Sequence, residues 1–461
     1  MASFYVENFG CRATQADGAA IERQFEERGL TRSDAPAQSE IVVLNTCTVT
    51  AAADQDARAV IRRIRRENPG CQIVVTGCYA QRAPEEIASL PGVSRVIGNS
   101  HKHQLAEIVV AARRQDDVAG IPARPDFVPL SSLAPGEPLS EIFVSDIFAH
   151  TELLAAPVFD AAGRGANNER TRPNLKVQDG CDNRCSFCVI PYVRGQSRSL
   201  PLDQIVDEVK ALVGAGYREV VISGINLGRW GRDFDTPLRF ETVVHEILRQ
   251  TNLEKLRISS VEPMDWSDEL IRMMAHSPRI AKHAHVPMQS GSDRVLRAMR
   301  RKYRPWHYRQ KLEKIRDAMP TAAIGADVMV GFPGESEADF EETQRMIEEL
   351  PFTYLHVFTY SSRPGTPAID LLDQVPVQIA RERNRILRKL AAEKKLSFMQ
   401  AFVGMTVEAI TLNVFDGVST EALTDNYLKV RLQGEHRANQ WVKALVEQVE
   451  SGALIAVLPS N

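Results

Sequence analysis

The segment Gly180-Cys181-Asp182-Asn183-Arg184-Cys185-Ser186-Phe187-Cys188 carries three thiols within a few residues. Spacings of three and then two residues gather the thiolates around one small cavity. That suits an iron–sulfur cluster better than the paired C-x-x-C hairpins of structural zinc. Three ligands in one loop also leave a fourth metal position open, where a small molecule can bind. A zinc knuckle or three unrelated buried thiols is the competing reading, but structural cysteines have no reason to cluster in one turn at the mouth of a sheet.

A second trio is dispersed. Cys11, Cys47 and Cys78 each follow an apolar run that reads as a strand (residues 3–8, 41–45 and 72–76). In a parallel sheet all strand carboxyl ends lie on one edge, where ligands gather at the switch point. Three cysteines in that position therefore converge, although about 30 residues separate each from the next. Cysteine is common in cores, so one such placement could be coincidence; three in phase argue for a site. Cys71 precedes its strand, at the opposite edge, with appreciable exposure expected after the Pro69-Gly70 turn.

Further along, glycine and proline punctuate strand ends at Ser223-Gly224-Ile225-Asn226, Pro287-Met288-Gln289-Ser290-Gly291, Gly331-Phe332-Pro333-Gly334 and Arg363-Pro364-Gly365. Loops after strands build the active sites of βα barrels, and glycine lets backbone approach a ligand closely. Arginines cluster at Arg58, Arg62, Arg63, Arg65 and Arg66, and again at Arg294, Arg297, Arg300 and Arg301. Both groups are dense enough to face phosphates, though a solvated helix face is the commoner outcome. His283 and His285 share a strand face, where packed neutral imidazoles are expected over a reactive pair.

The elements that must hold these residues are legible from periodicity. Residues 3–8, 41–45, 72–76 and 95–97 read as strands, with helices at 14–28, 53–67 and 84–90 between them, which predicts a parallel sheet covered by helices. Residues 115–173 hold seven of the 25 prolines and read as a connector, with a strand and turn expected at 141–148. From residue 174, strands at 175–178, 219–223, 255–260, 283–288, 325–330 and 354–360 alternate with helices, giving six βα units and an open, partial barrel. A charged helix at 379–395 follows. Strands at 406–414, 427–432 and 454–458 then suggest a small β-barrel of OB-like kind. The fold class is α/β, with domains at 1–115, 167–397 and 398–461 and a connector at 116–166.

The chain has 461 residues, 44% hydrophobic and 25% charged, which fits about three globular domains and excludes wholesale disorder. No apolar run reaches the ~18 residues of a membrane helix. The amino terminus lacks the basic and apolar regions of a signal peptide, so a cytoplasmic location with reduced thiols is expected. A net charge of −3 gives no global sign of a nucleic-acid partner, although a local basic face can hide in a neutral total.

The triad Cys181/Cys185/Cys188, with Phe187 before its last member, resembles that of the radical S-adenosylmethionine enzymes. The upstream trio and the terminal β-domain narrow this to the methylthiotransferases, whose domain order (amino-terminal methylthiotransferase domain, radical core, TRAM domain) would cover nearly the whole chain. The flanks Asn45-Thr46-Cys47-Thr48, Thr76-Gly77-Cys78-Tyr79 and Lys176-Val177-Gln178-Asp179-Gly180-Cys181 look like the branch acting on threonylcarbamoyladenosine in tRNA. Other branches act on isopentenyladenosine in tRNA or on a ribosomal protein aspartate. Around Cys11 the chain departs from the family pattern, with Thr14 where asparagine is usual and Gly18 where a hydroxyl residue or acid is usual.

The resemblance implies two [4Fe–4S] clusters. One, on Cys181, Cys185 and Cys188, would chelate S-adenosylmethionine and cleave it reductively to a 5′-deoxyadenosyl radical. The other, on Cys11, Cys47 and Cys78, would carry the sulfur to be methylated and transferred to C2 of the adenine. Phe187, Gly224, Asn226, Gln289 and Ser290 would line the S-adenosylmethionine site. Arg194 and Arg198 are candidates for the substrate carboxylate, with phosphate contact as their competing role. The implied partners are a tRNA substrate and a flavodoxin- or ferredoxin-like electron donor, with no membrane. From another class, two iron–sulfur sites could make an electron carrier or scaffold, but such a protein needs no glycine-lined pocket.

Overall fold

A computed structural model describes residues 2–118, 140–150, 153 and 171–459. Most of the expected connector therefore lies outside the described residues. The chain forms two compact units, one comprising Met1–Ala156 with Gly180–Asp182 and Val189–Gln196, the other comprising the remainder.

In the first unit six strands, β1 (Ser3–Asn8), β2 (Thr31–Arg32), β3 (Ile41–Thr46), β4 (Gln72–Gly77), β5 (Val93–Gly98) and β6 (Glu141–Phe143), form one parallel sheet in the order β2-β1-β3-β4-β5-β6. The central strand β3 is buried at every position, as a strand covered on both faces must be. Its alternate side chains feed two cores. Val42 and Leu44 pack with Ile61 and Ile64 of the helix Ala51–Glu67. Ile41 and Val43 pack with Ile21 and Phe25 of Arg12–Glu27 and with Leu105 and Val109. Thr50 caps Ala51–Glu67 by accepting the Ala53 amide at 3.2 Å, satisfying a donor that the helix itself leaves orphaned.

The order reverses between β1 and β3, so this is a doubly wound sheet whose switch point lies between those two strands. Cys11 and Cys47 follow the two strands that define it. Sequence patterning missed β2, which is only two residues long, and the helix Leu105–Val118. The strand expected near residue 141 is present.

Cys71 requires a correction. It precedes β4 as expected, yet it is only 8% exposed and packs into the core with Ile73, Ile87 and Val93. The turn before it faces water while the thiol folds inward. Replacing Cys71 with Ser should cost on the order of 1 kcal/mol for a polar group placed in an apolar site, read as a small fall in the denaturation midpoint, and should leave iron content unchanged.

In the second unit the six expected parallel strands are all present. They are β7 (Asn174–Asp179), β9 (Glu219–Gly224), β10 (Lys255–Ile258), β11 (His283–His285), β12 (Ala323–Val330) and β13 (Tyr354–Thr359). They form sheets β10-β9-β7-β8 and β11-β12-β13, joined by parallel bridges at Leu256–Ile280 and Ser260–His285. The short β8 (Arg198–Ser199) pairs antiparallel with β7, ending the sheet there instead of closing a ring. β11 ends earlier than expected, at His285, and Gln289 beyond it adopts a positive φ of 64°. Leu175, Val177, Val220, Ile222, Leu256 and Ile258 supply an apolar face. The alternate positions are polar and buried, among them Lys176, Glu219, Ser223 and Arg257.

The carboxyl-terminal segment closes as the barrel β14-β15-β16-β18-β17, from β14 (Thr406–Phe415), β15 (Ser419–Thr424), β16 (Lys429–Gln433), β17 (Trp441–Glu450) and β18 (Ala453–Val457). Two of these, β15 and β17, escape the alternation rule. The turn between β15 and β16 meets the partial barrel: Arg257, fully buried, donates to Glu219 at 2.6 Å and to the carbonyls of Thr424 and Asp425 at 3.1 and 2.8 Å. Removing residues 398–461 would therefore strip two acceptors from a buried guanidinium, so this segment is part of the barrel's support.

Candidate functional site

Gly10 has φ +95°, and a Cβ there would stand 2.7 Å from Cys47 Cβ and 2.9 Å from its sulfur. Only glycine permits the backbone after β1 to lie against Cys47. Cys11 then caps Arg12–Glu27, with its sulfur 3.4 Å from Thr14 Oγ1. Cys78 opens the short helix Cys78–Arg82 directly after β4. The two departures from the family pattern have local reasons. Thr14 contacts the Cys11 sulfur, and its carbonyl accepts Asn45 Nδ2 at 2.7 Å. A Cβ at Gly18 would meet Asn8 Oδ1 at 1.9 Å, so a larger residue requires the Asn8 side chain to move aside.

Burial pushes the Cys47 thiol up to about 11, and Cys78 and Cys11 push it the same way, opposed by the Val49 amide and Arg194. Cys47 thus lies within electrostatic reach of both other thiols. Around them lies a buried polar frame. Asp17 accepts Lys102 Nζ and Arg194 Nη2, both at 3.0 Å, and all three side chains are nearly inaccessible. Lys102 also donates to Asn45 Oδ1 at 3.2 Å, and Asn99 Nδ2 lies 3.7 Å from the Cys78 sulfur while donating to the Val193 carbonyl at 2.7 Å. Two cations, Lys102 and Arg194, thus stand with Asp17 around the three thiols.

Cations in that frame fit an anionic thiolate-bound cluster. Among the described residues no group of three or more His, Cys, Asp or Glu could hold a single metal ion. A cluster makes a different demand, since its cysteines bind separate irons. Because the Cys47 pKa is raised on folding, its contribution to the apoprotein's stability is full below the ordinary thiol pKa and is lost as pH rises toward about 11. Denaturant titrations of apoprotein should show stability falling between pH 9 and 11, and the fall should shrink in Cys47→Ala.

Arg194 requires a second correction. It cannot reach out to a substrate carboxylate, because it is 2% exposed and committed to Asp17. Arg198 lies in β8, half-buried.

The loop after β7 carries Cys181, Cys185 and Cys188. Gly180 has φ +72°, and a Cβ there would fall 1.8 Å from the Gln196 carbonyl oxygen. The Cys188 amide donates to the Cys185 carbonyl at 3.1 Å, so these two thiols lie on one tight turn. Ser186 pins that turn. Its amide donates to Met299 O at 3.1 Å and its hydroxyl to Ala298 O at 2.8 Å, while its carbonyl accepts the Ala368 amide at 2.8 Å. Phe187 packs edge-on against Phe332 at 6.5 Å between centroids.

The other expected pocket residues sit at strand ends. Gly224 ends β9, where a Cβ would press on Gln178, and Gln178 Oε1 accepts the Asn226 amide at 2.7 Å. Gln289 takes its positive φ there, and Ser290, 2% exposed, meets Thr343 Oγ1 at 3.2 Å and accepts the Ser292 amide. The Ser290 hydroxyl thus braces its own loop. His283 Nε2 lies 2.7 Å from Tyr354 OH, with the rings stacked at 5.8 Å, which agrees with the packed reading.

The arginine clusters divide. Arg62, Arg63, Arg65 and Arg66 lie exposed on Ala51–Glu67, whereas Arg58 meets Tyr79 and Glu86. Arg301 turns inward to Cys185 and Glu262. Sequence reasoning did not find Asp17, Asn99, Lys102 or the contact made by Arg301. One signal was available for Asp17: it lies on the stripe Ala13, Asp17, Ile21, Phe25, where a polar residue among buried apolar ones marks a partner.

The profile of the Radical SAM superfamily matches residues 175–347, and that of the uncharacterized protein family UPF0004 matches residues 3–98. The chain is 35% identical over 439 residues (94% of this chain, 91% of the relative) to the threonylcarbamoyladenosine tRNA methylthiotransferase MtaB of Bacillus subtilis. To the protein of the same name from Aquifex aeolicus it is 34% identical over 440 residues, 95% of this chain and 99% of the relative. A tRNA-2-methylthio-N(6)-dimethylallyladenosine synthase of Saccharopolyspora erythraea is 33% identical over 412 residues, covering 88% and 78%. Among solved structures, the radical S-adenosylmethionine methyltransferase TsrM of Kitasatospora setae superposes with a TM-score of 0.56 at 17% identity, covering 80% of this chain and 77% of that one. At that identity the likeness shows the fold alone.

Proposed function

Because the chain belongs to the radical S-adenosylmethionine methylthiotransferase family, we propose that it adds a methylthio group to C2 of N6-threonylcarbamoyladenosine in tRNA. Membership carries a [4Fe–4S] cluster and S-adenosylmethionine. We assign that cluster to Cys181, Cys185 and Cys188, and a second cluster to Cys11, Cys47 and Cys78. When bound, the clusters supply the electron that cleaves S-adenosylmethionine and the sulfur that is methylated and transferred; an unactivated aromatic C–H offers no acidic proton to a side-chain base. The observation that carries this reading is the pair of cysteine trios, each following strand carboxyl ends, in a chain similar along nearly its whole length to proteins of that activity.

The chain's own residues bind and orient. Gly224 and Asn226, held by Gln178, and Gln289, turned by its positive φ, present backbone to S-adenosylmethionine at the mouth of the partial barrel. Phe187 and Phe332 exclude water beside the cluster loop. The Lys102–Asp17–Arg194 frame holds positive charge against the second trio. The target base lies in a single-stranded loop and can be splayed into a pocket. Its threonylcarbamoyl carboxylate wants a cation, ideally a bidentate arginine. With Arg194 committed to Asp17, Arg198 is the candidate. An electron donor of the flavodoxin or ferredoxin kind completes the cycle.

Reconstituted protein should methylthiolate tRNA bearing threonylcarbamoyladenosine and leave tRNA bearing isopentenyladenosine unchanged, read by mass spectrometry of digested nucleosides. Product from the isopentenyl tRNA alone would sink the substrate while leaving the chemistry standing.

A further inference from the structure

The Cys185 sulfur has a neighbour that nothing in the cysteine spacing announces. Arg301 Nη1 stands 3.2 Å from it, and Arg301 Nη2 pairs with Glu262. The guanidinium also lies over the Tyr303 ring, 5.0 Å from its centroid, and only 5% of the Arg301 side chain is exposed. The position is fixed from several sides. Tyr303 OH donates to the Pro287 carbonyl at 3.1 Å and also to that of Met288, while the carbonyls of Ala298 and Met299 hold Ser186, the residue after Cys185. One segment, residues 298–303, thus grips the cysteine turn through its backbone and touches the sulfur with a permanent cation.

We propose that Arg301 is a positioning residue that sets the reduction potential of the cluster on Cys181, Cys185 and Cys188, acting through the Cys185 sulfur. The inference rests on the proposed assignment of that cluster. A cluster gains negative charge on reduction. A hydrogen bond to a ligand sulfur and a nearby cation therefore stabilise the reduced form and raise the potential, and low local dielectric strengthens both effects. An arginine serves here because it cannot lose its proton. Glu262 tempers it by sharing the guanidinium.

The test uses full-length, anaerobically reconstituted protein carrying Cys11, Cys47 and Cys78 as Ala, so that one cluster is titrated. Midpoint potentials are read from the paramagnetic signal of the reduced cluster. In R301Q the reduced-to-oxidised ratio at a fixed potential should fall about tenfold, equal to ~59 mV downward for a one-electron couple, with iron content retained. R301K, which keeps the charge but loses the fork, should fall between. E262Q should shift the potential upward by releasing the guanidinium toward the sulfur, which keeps the inference testable if R301Q does not hold iron. An unchanged midpoint in iron-loaded R301Q, or a downward or absent shift in E262Q, overturns the role of Arg301. Failure of the cluster assignment reads differently: Cys185→Ala would then retain full iron and the same signal.

Discussion

Replacing Cys181, Cys185 and Cys188 together with Ala should leave about half the iron and abolish 5′-deoxyadenosine formation, if each trio is the separate ligand set proposed for it. The complementary Cys11/Cys47/Cys78 variant should also keep about half the iron. It should still cleave S-adenosylmethionine, yet deliver no sulfur to the base. Iron analysis and chromatographic detection of 5′-deoxyadenosine separate the two results. In the second variant the lost sulfurs lie at strand ends, and the cores of the first unit, built on Val42, Leu44, Ile41 and Val43, stay intact. If either triple variant lost all its iron while remaining folded, the two trios would have to share one site.

Asp17→Asn should be the most damaging single change outside the cysteines. It removes a carboxylate that Lys102 and Arg194 share, while both cations stay buried. Breaking a buried charge pair from one side costs about 3–5 kcal/mol, which is a large part of a domain's stability. A fall in the denaturation midpoint of the apoprotein, with impaired iron uptake at Cys11, Cys47 and Cys78, is the expected outcome. Adding Lys102→Met should restore part of the lost stability, because one unpaired cation is then withdrawn. Wild-type stability in Asp17→Asn alone would show that water reaches the pair.

The strands were legible where both faces are buried or alternation is regular, as in β3 and β4, because burial writes itself into the sequence as apolar runs. β15 and β17 were not, since a small barrel exposes part of nearly every strand and blurs the pattern. The six cysteines proposed as cluster ligands were legible from spacing in one loop and, for the dispersed trio, from places after parallel strands whose carboxyl ends share one edge. The supporting charges were not. Arg301 sat in a run of arginines that reads as a solvated face, and only the turn after Leu296 aims it inward. Cys71 shows the converse: a polar flank suggested exposure, but the side chain direction is set by the sheet edge it joins. Arg194 failed in the same way, because nearness in sequence to the cysteine loop said nothing about Asp17, far upstream.

That Arg194–Asp17 pair also bears on the order in which the protein can be made. The first unit is discontinuous: residues 189–196 supply it with Arg194 for Asp17 and with the Val193 carbonyl for Asn99. A ribosome that has finished the helix Leu105–Val118 has produced five of the six strands of the sheet but not its closing charge. At a synthesis rate of about 5–20 residues per second, roughly 4–16 seconds pass before residue 196 is added. Through that interval Asp17 lacks Arg194, and Asn99 lacks the Val193 carbonyl. A fragment ending near residue 115 would remain in this condition permanently.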